Sequence, residues 1–190
     1  MQPLTPEEKR IAAAQQGDLA AFEELVRDYQ GCVVTTAYHL LGNEADADDV
    51  SQEVWIRVYR SLERFQFKSR FSTWLYRITV NQALTALKRR GRRLGSRSQD
   101  VRIDEVEGEF PLPDDAPDAR SILEGKEMEQ QFREALHTLP EKQRQAVILV
   151  LFEGLSHREA GEVMRVAEKT VSWHLFQARR RLLEKLKGRL

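Results

Sequence analysis

Two helical patterns near the C-terminus stand on either side of a connection that is too short for anything except a tight turn. Ser156, with Glu159 three residues later, forms a capping box and predicts where the first helix begins. Ala160 and Gly161 are small enough to let another helix approach closely. The connection "MRVA" follows, and Glu168 opens the second helix, where an acidic side chain suits the helix dipole. This end of the chain is therefore predicted to be a helix-turn-helix.

The second helix of this motif has an apolar face and a polar face. Four apolar side chains recur at helical spacing and predict the buried face: Val171, Leu175, Ala178 and Leu182. The polar face is predicted to carry Lys169, Thr170, Ser172, Trp173, Gln177 and Arg180. An arginine cluster alone is typical of a packing helix with solvated charges. The complete motif favours a DNA-binding helix, because short polar side chains can approach base edges while arginines reach phosphates.

The N-terminal half also has helical spacing and no sustained strand alternation. A helix is predicted over residues 5–30, with a capping box at Thr5 and a break at Gly17-Asp18. Further helices are predicted over residues 31–41, which end at Gly42-Asn43, and over residues 45–63. A last helix is predicted to begin after a cap at Ser72. The side chains expected inside are Val50, Val54, Val58, Leu75, Ile78 and Leu84.

The composition changes between the two halves. The stretch "DEVEGEFPLPDDAPD", residues 104–118, is acidic, holds three prolines and has no apolar periodicity. Helical spacing resumes near Ile122 and restarts after Pro140, where the expected buried face is Val147, Ile148, Leu151 and Phe152. We therefore predict an all-α chain: two small helical domains, residues 1–95 and 122–190, joined by a flexible acidic linker over residues 96–121.

Several classes of protein are disfavoured by what the sequence lacks. The 30 basic and 30 acidic residues cancel, so net charge says nothing about nucleic acid. Cys32 is the only cysteine, which suits a reducing compartment, and we expect it to be a small buried residue rather than a redox sensor. No apolar run suits a signal peptide or a membrane span, so we expect a cytoplasmic protein without direct membrane insertion. No catalytic pair, glycine-rich phosphate loop or metal-ligand spacing is evident, so we expect no catalysis, metal, cofactor or small-molecule substrate.

Two stretches of the N-terminal half carry further information. "DADDVSQEVWIRVYRSLERF" places a polar face opposite its valines: Asp46, Asp49, Gln52, Glu53 and Arg57. This face is equally typical of a solvated surface helix. "RFSTWLYRITVNQALTALKRRGRR" combines aromatic rings with a basic stripe, which suits single-stranded or melted nucleic acid because bases stack on rings and cations follow the backbone. Trp74 and Leu75 are expected in the core, whereas the loop aromatics are expected to be more available.

Together these stretches resemble the extracytoplasmic-function (ECF) group of bacterial sigma factors over nearly the whole chain. The first stretch is similar to a helix of their region two, and "FSTWLYRITVNQALTALKRR" to the next helix, often written F-x-x-W-L-Y-R-I-A-x-N. "LPEKQRQAVILVLFEGLSHREAGEVM" with "TVSWHLFQARRRL" resembles their region four. The resemblance implies an alternative sigma factor that binds core RNA polymerase, melts the −10 element and recognises the −35 element. An anti-sigma factor is implied as a further partner.

The resemblance assigns roles to residues of this sequence. It implies contact with the clamp helices of the polymerase β′ subunit by Asp46, Asp49, Gln52, Glu53 and Arg57. It implies contact with −10 DNA by Phe65, Phe67, Lys68, Ser69, Arg70, Phe71, Asn81, Lys88, Arg89 and Arg90. It implies contact with −35 DNA by Lys169, Thr170, Ser172, Trp173, His174, Gln177, Arg179 and Arg180. The C-terminal domain is also expected to bind the polymerase β flap, and the linker to thread a basic channel of polymerase. Val54 and Ile56 are expected to be exposed apolar residues that contact polymerase and that could also bind the anti-sigma factor.

The sequence departs from the family pattern at two places, and other functions remain open. The turn commonly runs leucine-glycine-isoleucine-proline, but here it is Met164-Arg165-Val166-Ala167. An arginine is frequent where His174 and Gln177 stand, which affects the −35 base preference; His174 is expected to contact phosphate or solvent. The helix-turn-helix also resembles LuxR-type regulators, which would need an α/β receiver domain that no strand pattern supplies. A dimeric repressor or activator of duplex operator DNA is the alternative function, and an enzyme is a third.

Overall fold

The computed structural model describes residues 4–93 and 126–187, and within these ranges every regular element is helical. The all-α prediction is thus confirmed for the described residues. The chain divides into two compact units, Met1–Leu87 and Lys88–Leu190. The α-helices are α1 (Pro6–Gln15), α2 (Leu19–Leu41), α3 (Glu44–Ser61), α4 (Phe71–Arg93), α5 (Lys126–His137), α6 (Glu141–Val147), α7 (His157–Met164) and α8 (Glu168–Lys187). The predicted linker over residues 96–121 lies outside the described residues.

Local capping chemistry explains where the first helices begin and end. Thr5 and Glu8 form the predicted reciprocal capping box at α1, and Pro6 is the first helical residue. The Asp18 side chain accepts a hydrogen bond from the Ala21 amide at the start of α2. Gly42 ends α2 with φ of 71°, in the left-handed region that favours glycine. The predicted signals therefore act as expected at all three positions.

Helix α2 is longer than the sequence predicted. The structure has one continuous helix over Leu19–Leu41, whereas a boundary was expected between residues 30 and 31. Gly31 lies within this helix, and a Cβ atom built there would meet nothing within 4 Å. A single exposed glycine lowers helix stability by about 1 kcal/mol relative to alanine, which the buried face of a 23-residue helix easily outweighs. The predicted boundary was therefore wrong.

The first unit has its core between α1, α2, α3 and α4. Ile11, Leu25, Leu40 and Leu75 are each at most 1% exposed, and burial of such side chains stabilises the fold by about 1.5–3 kcal/mol each. The predicted valine stripe of α3 is confirmed, since Val50, Val54 and Val58 are all buried. On α4, Ile78 and Leu84 are only half-buried, and their expected inward places are taken by Thr79, Val80 and Ala83. Cys32 is half-buried on α2 rather than fully buried.

The second unit contains a π-helical turn, Ile148–Phe152, directly after α6. In this turn the Glu153 amide donates to the Ile148 carbonyl, five residues earlier. The wider turn changes the helical register, so Leu149 is buried while Leu151 is exposed. Val147 and Ile148 lie in the core as predicted, whereas the prediction for Leu151 was wrong and Phe152 is half-buried.

No helix among the described residues is long and apolar enough to cross a membrane.

Candidate functional site

Helix α3 presents a polar surface because its valines fix the rotation of the helix. Asp49, Gln52, Glu53 and Arg57 are exposed, and Asp46 is half-buried. The Arg57 Nη1 atom donates to Gln82 Oε1 of α4 at 3.1 Å. The structure therefore brings the five predicted polymerase-contacting residues onto one helix, with Arg57 joined to α4.

An aromatic patch beside this surface was missed by the sequence analysis. The Phe22 ring of α2 lies 5.1 Å from the Tyr59 ring and 6.2 Å from the Trp55 ring, centroid to centroid. Tyr59 and Ile56 are about half exposed, at 53% and 51%. The expected exposure of Val54 was wrong, because this side chain is 0% exposed in the core. In the sequence, Trp55 and Tyr59 directly follow the buried valines Val54 and Val58 and are four residues apart. This helical spacing was the signal that could have predicted the patch.

The loop before α4 is held from inside by aromatic packing. Phe65 and Phe71 are buried, and Phe71 is only 2% exposed. The Phe65 ring lies 5.1 Å from Trp74 and 5.9 Å from Phe71, centroid to centroid. Gln15 Nε2 of α1 also donates to the carbonyls of Leu62 and Phe65, at 2.9 and 2.8 Å. Phe65 and Phe71 were predicted to contact −10 DNA, and this is corrected: their rings are engaged in the core and offer no free face to a base.

The exposed part of the loop is short and polar apart from one ring. Phe67 is 38% exposed and its backbone has φ of 55°, a left-handed conformation that non-glycine residues rarely adopt. Its ring still contacts Phe65, 5.0 Å away between centroids. Lys68 and Arg70 are exposed and Ser69 is half-buried. The loop thus presents one exposed aromatic ring, followed along the chain by two cationic side chains and a hydroxyl group.

Helix α4 continues from this loop toward a basic end. Asn81 is exposed, four residues after half-buried Arg77 and seven before exposed Lys88, so the three share one face. Arg89 and Arg90 are exposed beside Lys88. With a rise of about 1.5 Å per residue, Asn81 lies about 15 Å along the helix from Phe71. Asn81 is therefore on the same helix as Phe71 but about three helical turns away from it.

The helix-turn-helix of the second unit is confirmed, and its turn is unusually tight. Ser156 and Glu159 form the predicted capping box at α7. Arg165 ends α7 in the left-handed region, with φ of 56° and ψ of 47°. The Val166 amide donates to the Gly161 carbonyl at 3.0 Å. A Cβ atom on Gly161 would lie 2.8 Å from the Val166 carbonyl oxygen. Gly161 is therefore required by the close backbone of the turn itself, rather than by a neighbouring helix.

Helix α8 has the predicted inward and outward faces, apart from Leu175, Phe176 and His174. Val171, Ala178 and Leu182 are buried, but Leu175 is half-buried. Phe176 is 41% exposed among the predicted DNA-contacting residues, and the sequence analysis did not single it out. Lys169 and Arg180 are exposed; the half-buried members of the predicted set are Thr170, Ser172, Trp173, Gln177 and Arg179. Arg180 Nε also pairs with Glu184 Oε1, four residues later, at 3.3 Å.

His174 does not belong to this outer surface. Its side chain is 1% exposed, so the expected contact with phosphate or solvent was wrong. Burial, with a smaller contribution from Lys142, lowers the pKa of His174 to about 4, so the imidazole is neutral at neutral pH. The residue is three positions after Val171 and four before Ala178, and this helical spacing places it on the buried face.

Metal chemistry has no evident site in residues 4–93 and 126–187. Within these ranges no group of three or more His, Cys, Asp or Glu side chains could hold a metal ion.

Comparison with known proteins identifies the chain. Residues 9–93 match the family model of sigma-70 region 2, and residues 129–182 match that of sigma-70 region 4. The chain is 36% identical over 181 residues to the RNA polymerase sigma-H factor of Pseudomonas aeruginosa, covering 93% of this chain and 92% of that one. It is 34% identical over 176 residues to the ECF RNA polymerase sigma factor SigE of Mycolicibacterium smegmatis, covering 92% of this chain but only 65% of that longer one.

A solved structure supports the same relation. The sigma factor RpoE of Bartonella quintana, in its co-crystal structure with the anti-sigma factor NepR, aligns with a TM-score of 0.65 and 25% identity. The alignment covers 87% of this chain and 96% of that one. The chain is also 34% identical over 180 residues to the ECF RNA polymerase sigma-E factor of Haemophilus influenzae, covering 93% of each chain. By these matches, which include both sigma-70 regions in order, the chain belongs to the ECF group of RNA polymerase sigma factors.

Proposed function

We propose that this sigma factor divides promoter recognition between its two units in the way that its surfaces suggest. The protein binds core RNA polymerase and directs transcription from specific promoters. The first unit contacts the β′ clamp helices and the −10 element, and the second contacts the −35 duplex and the β flap. The observation that carries this proposal is the outer face of α8, where Lys169, Ser172, Trp173 and Gln177 lie opposite the buried side chains of the same helix: Val171, His174, Ala178 and Leu182. No reaction is catalysed by the protein itself.

The polymerase contact is assigned to the polar surface of α3. Asp49, Gln52 and Glu53 are exposed there and carry hydrogen-bonding groups of the kind that specify a polar interface. The aromatic patch of Phe22, Trp55, Ile56 and Tyr59 adjoins this surface and provides apolar area of the kind that anchors interfaces. The indole N–H of Trp55 is buried and has no hydrogen-bond partner among the described residues.

The −10 contact is assigned to the exposed part of the loop. Extruding a base from the stack costs a few kcal/mol, so the receiving site must be preformed to offset that cost. Phe67 is the exposed ring on which a base would stack, and Lys68 and Arg70 are exposed cations that would attract phosphates. Asn81 and the basic end at Lys88, Arg89 and Arg90 follow on α4 and would hold the adjoining backbone. Phe65 and Phe71 serve this site by supporting it rather than by contacting DNA.

Regulation by an anti-sigma factor is proposed from the relatives. The similar RpoE of Bartonella quintana was crystallised with an anti-sigma factor. The aromatic patch on α2 and α3 is a suitable surface for such a protein, which would then compete with polymerase. The acidic linker would thread a basic channel of polymerase when the inhibitor leaves. We place these events in the cytoplasm, where polymerase acts.

Run-off transcription with purified core polymerase tests the proposal. Transcripts are expected only when this protein and a cognate promoter are both present. Asp49→Lys should weaken binding to core at least tenfold, while Asp48→Lys serves as a matched control on the same helix, rotated by about 100°. Failure to associate with core polymerase would contradict the proposal. A footprint on an inverted repeat without polymerase would indicate a repressor or activator instead.

A further inference from the structure

The side chain of His157 contacts the DNA-facing surface of α8 from the neighbouring helix. His157 is the first residue of α7, and its Nδ1 atom lies 2.9 Å from the Ser172 hydroxyl oxygen. Both side chains are half-buried. The Ser172 hydroxyl also lies 3.3 Å from the Glu168 carbonyl oxygen of its own helix. A residue of the first helix thus holds a residue of the recognition helix.

These two contacts decide what the Ser172 hydroxyl has left to offer. A serine hydroxyl has one proton to donate and two lone pairs that accept. The Glu168 carbonyl can only accept, and His157 Nδ1 either accepts or donates according to its tautomer. If Ser172 donates to Nδ1, both lone pairs remain; if it donates to Glu168, it accepts from Nδ1–H and one lone pair remains. In the first arrangement the proton is held by the shorter contact of 2.9 Å, and the outward side of Ser172 only accepts. In the second, only the longer contact to Glu168 holds the proton.

We propose that His157 is a positioning residue whose Nδ1 atom accepts the Ser172 proton and thereby fixes Ser172 as a hydrogen-bond acceptor toward the −35 element. In the major groove adenine and cytosine present an amino donor, whereas guanine and thymine present acceptors. Ser172 should therefore prefer adenine or cytosine on the strand that it faces. Without His157 the hydroxyl is restrained only by the longer contact to Glu168, so it can turn its proton outward and accept guanine or thymine as well. This inference rests on the proposed role of α8 in −35 recognition.

The test uses the full-length protein with core polymerase and promoters that carry a randomised −35 element. Transcripts are sequenced to give the base preference at each position. One position should prefer adenine or cytosine on one strand by about fivefold, the factor that one net hydrogen bond provides, and Ser172→Ala should remove this preference. His157→Phe should relax the same position to less than about twofold, with the other positions unchanged. His157→Asn should retain the preference, because its amide can still hydrogen-bond to the hydroxyl.

The double variant separates positioning from general damage to the fold. In the Ser172→Ala background, His157→Phe should cause no further change at that position. The inference is overturned if His157→Phe keeps the wild-type preference, if it weakens all positions equally, or if the Ser172-dependent position prefers guanine or thymine. If the wild-type protein transcribes but shows no −35 preference at any position, the role of α8 in −35 recognition fails, and the inference fails with it.

Discussion

Replacing Gly161 with alanine tests whether the tight turn of the helix-turn-helix depends on a missing side chain. The new Cβ would lie 2.8 Å from the Val166 carbonyl oxygen and 3.6 Å from the Glu168 amide nitrogen. Both neighbours are backbone atoms, so neither can move away as a flexible side chain would. Overpacking of this kind costs about 1–3 kcal/mol, while alanine gains up to about 1 kcal/mol in helix propensity. The free energy of unfolding of the second unit should therefore fall by up to about 2 kcal/mol.

Thermal unfolding followed by far-ultraviolet circular dichroism measures the effect on the whole protein. For a unit of this size, 1 kcal/mol corresponds to a change in Tm of about 4–8 °C. Gly31→Ala is the matched control, because Gly31 also lies within a helix but its Cβ would meet nothing within 4 Å. That variant should be more stable than the wild type by about 0.5–1 kcal/mol. If both alanine variants are stabilised, helix propensity alone governs these positions and the steric reasoning is refuted.

Three further predictions follow from single residues. Arg165→Gly should raise the free energy of unfolding by about 1 kcal/mol, because Arg165 has φ of 56° and glycine adopts this conformation without strain. Urea titration measures the change, and an unchanged midpoint of the unfolding transition would contradict the prediction. Burial lowers the pKa of His174 to about 4, so the unfolded state binds more protons than the folded state between about pH 6.5 and pH 4. Stability should therefore fall as the pH is lowered through this window, by up to about 3 kcal/mol, and equal slopes for the wild type and His174→Gln would exclude this cause. Phe67→Ala should reduce the formation of the open complex, measured by permanganate reactivity of the DNA, without lowering Tm. Phe71→Ala should instead lower the free energy of unfolding by about 3–5 kcal/mol. Loss of stability in both variants would assign Phe67 to the core.

Helix identity and capping could be predicted from the sequence because they depend on local chemistry. The boxes at Thr5 and Ser156 and the left-handed Gly42 each need only neighbouring residues, and all are as expected. Leu151 could not be placed correctly, because a single π-helical turn changes the register after Ile148 and leaves no mark in the apolar spacing.

The candidate sites were predictable as segments but not as individual side chains. Phe65, Phe67 and Phe71 are the same residue type within seven positions, yet only Phe67 is exposed, because packing against Trp74 and Tyr29 selects the other two for the core. His174 was expected to contact −35 DNA because of the family resemblance, although its helical position indicates the buried face. Residue types were therefore enough to locate the candidate sites, but tertiary packing determines which side chains of each site are exposed.

The two hydrogen bonds from Gln15 have a consequence for engineering. They join α1 to the carbonyls of Leu62 and Phe65, which are 47 and 50 positions later in the chain. If this loop were transplanted into another sigma factor to change promoter choice, it would lose this anchorage unless the recipient had a glutamine equivalent to Gln15. Chimeras designed from the loop alone should therefore behave differently from chimeras that exchange the N-terminal helix together with the loop.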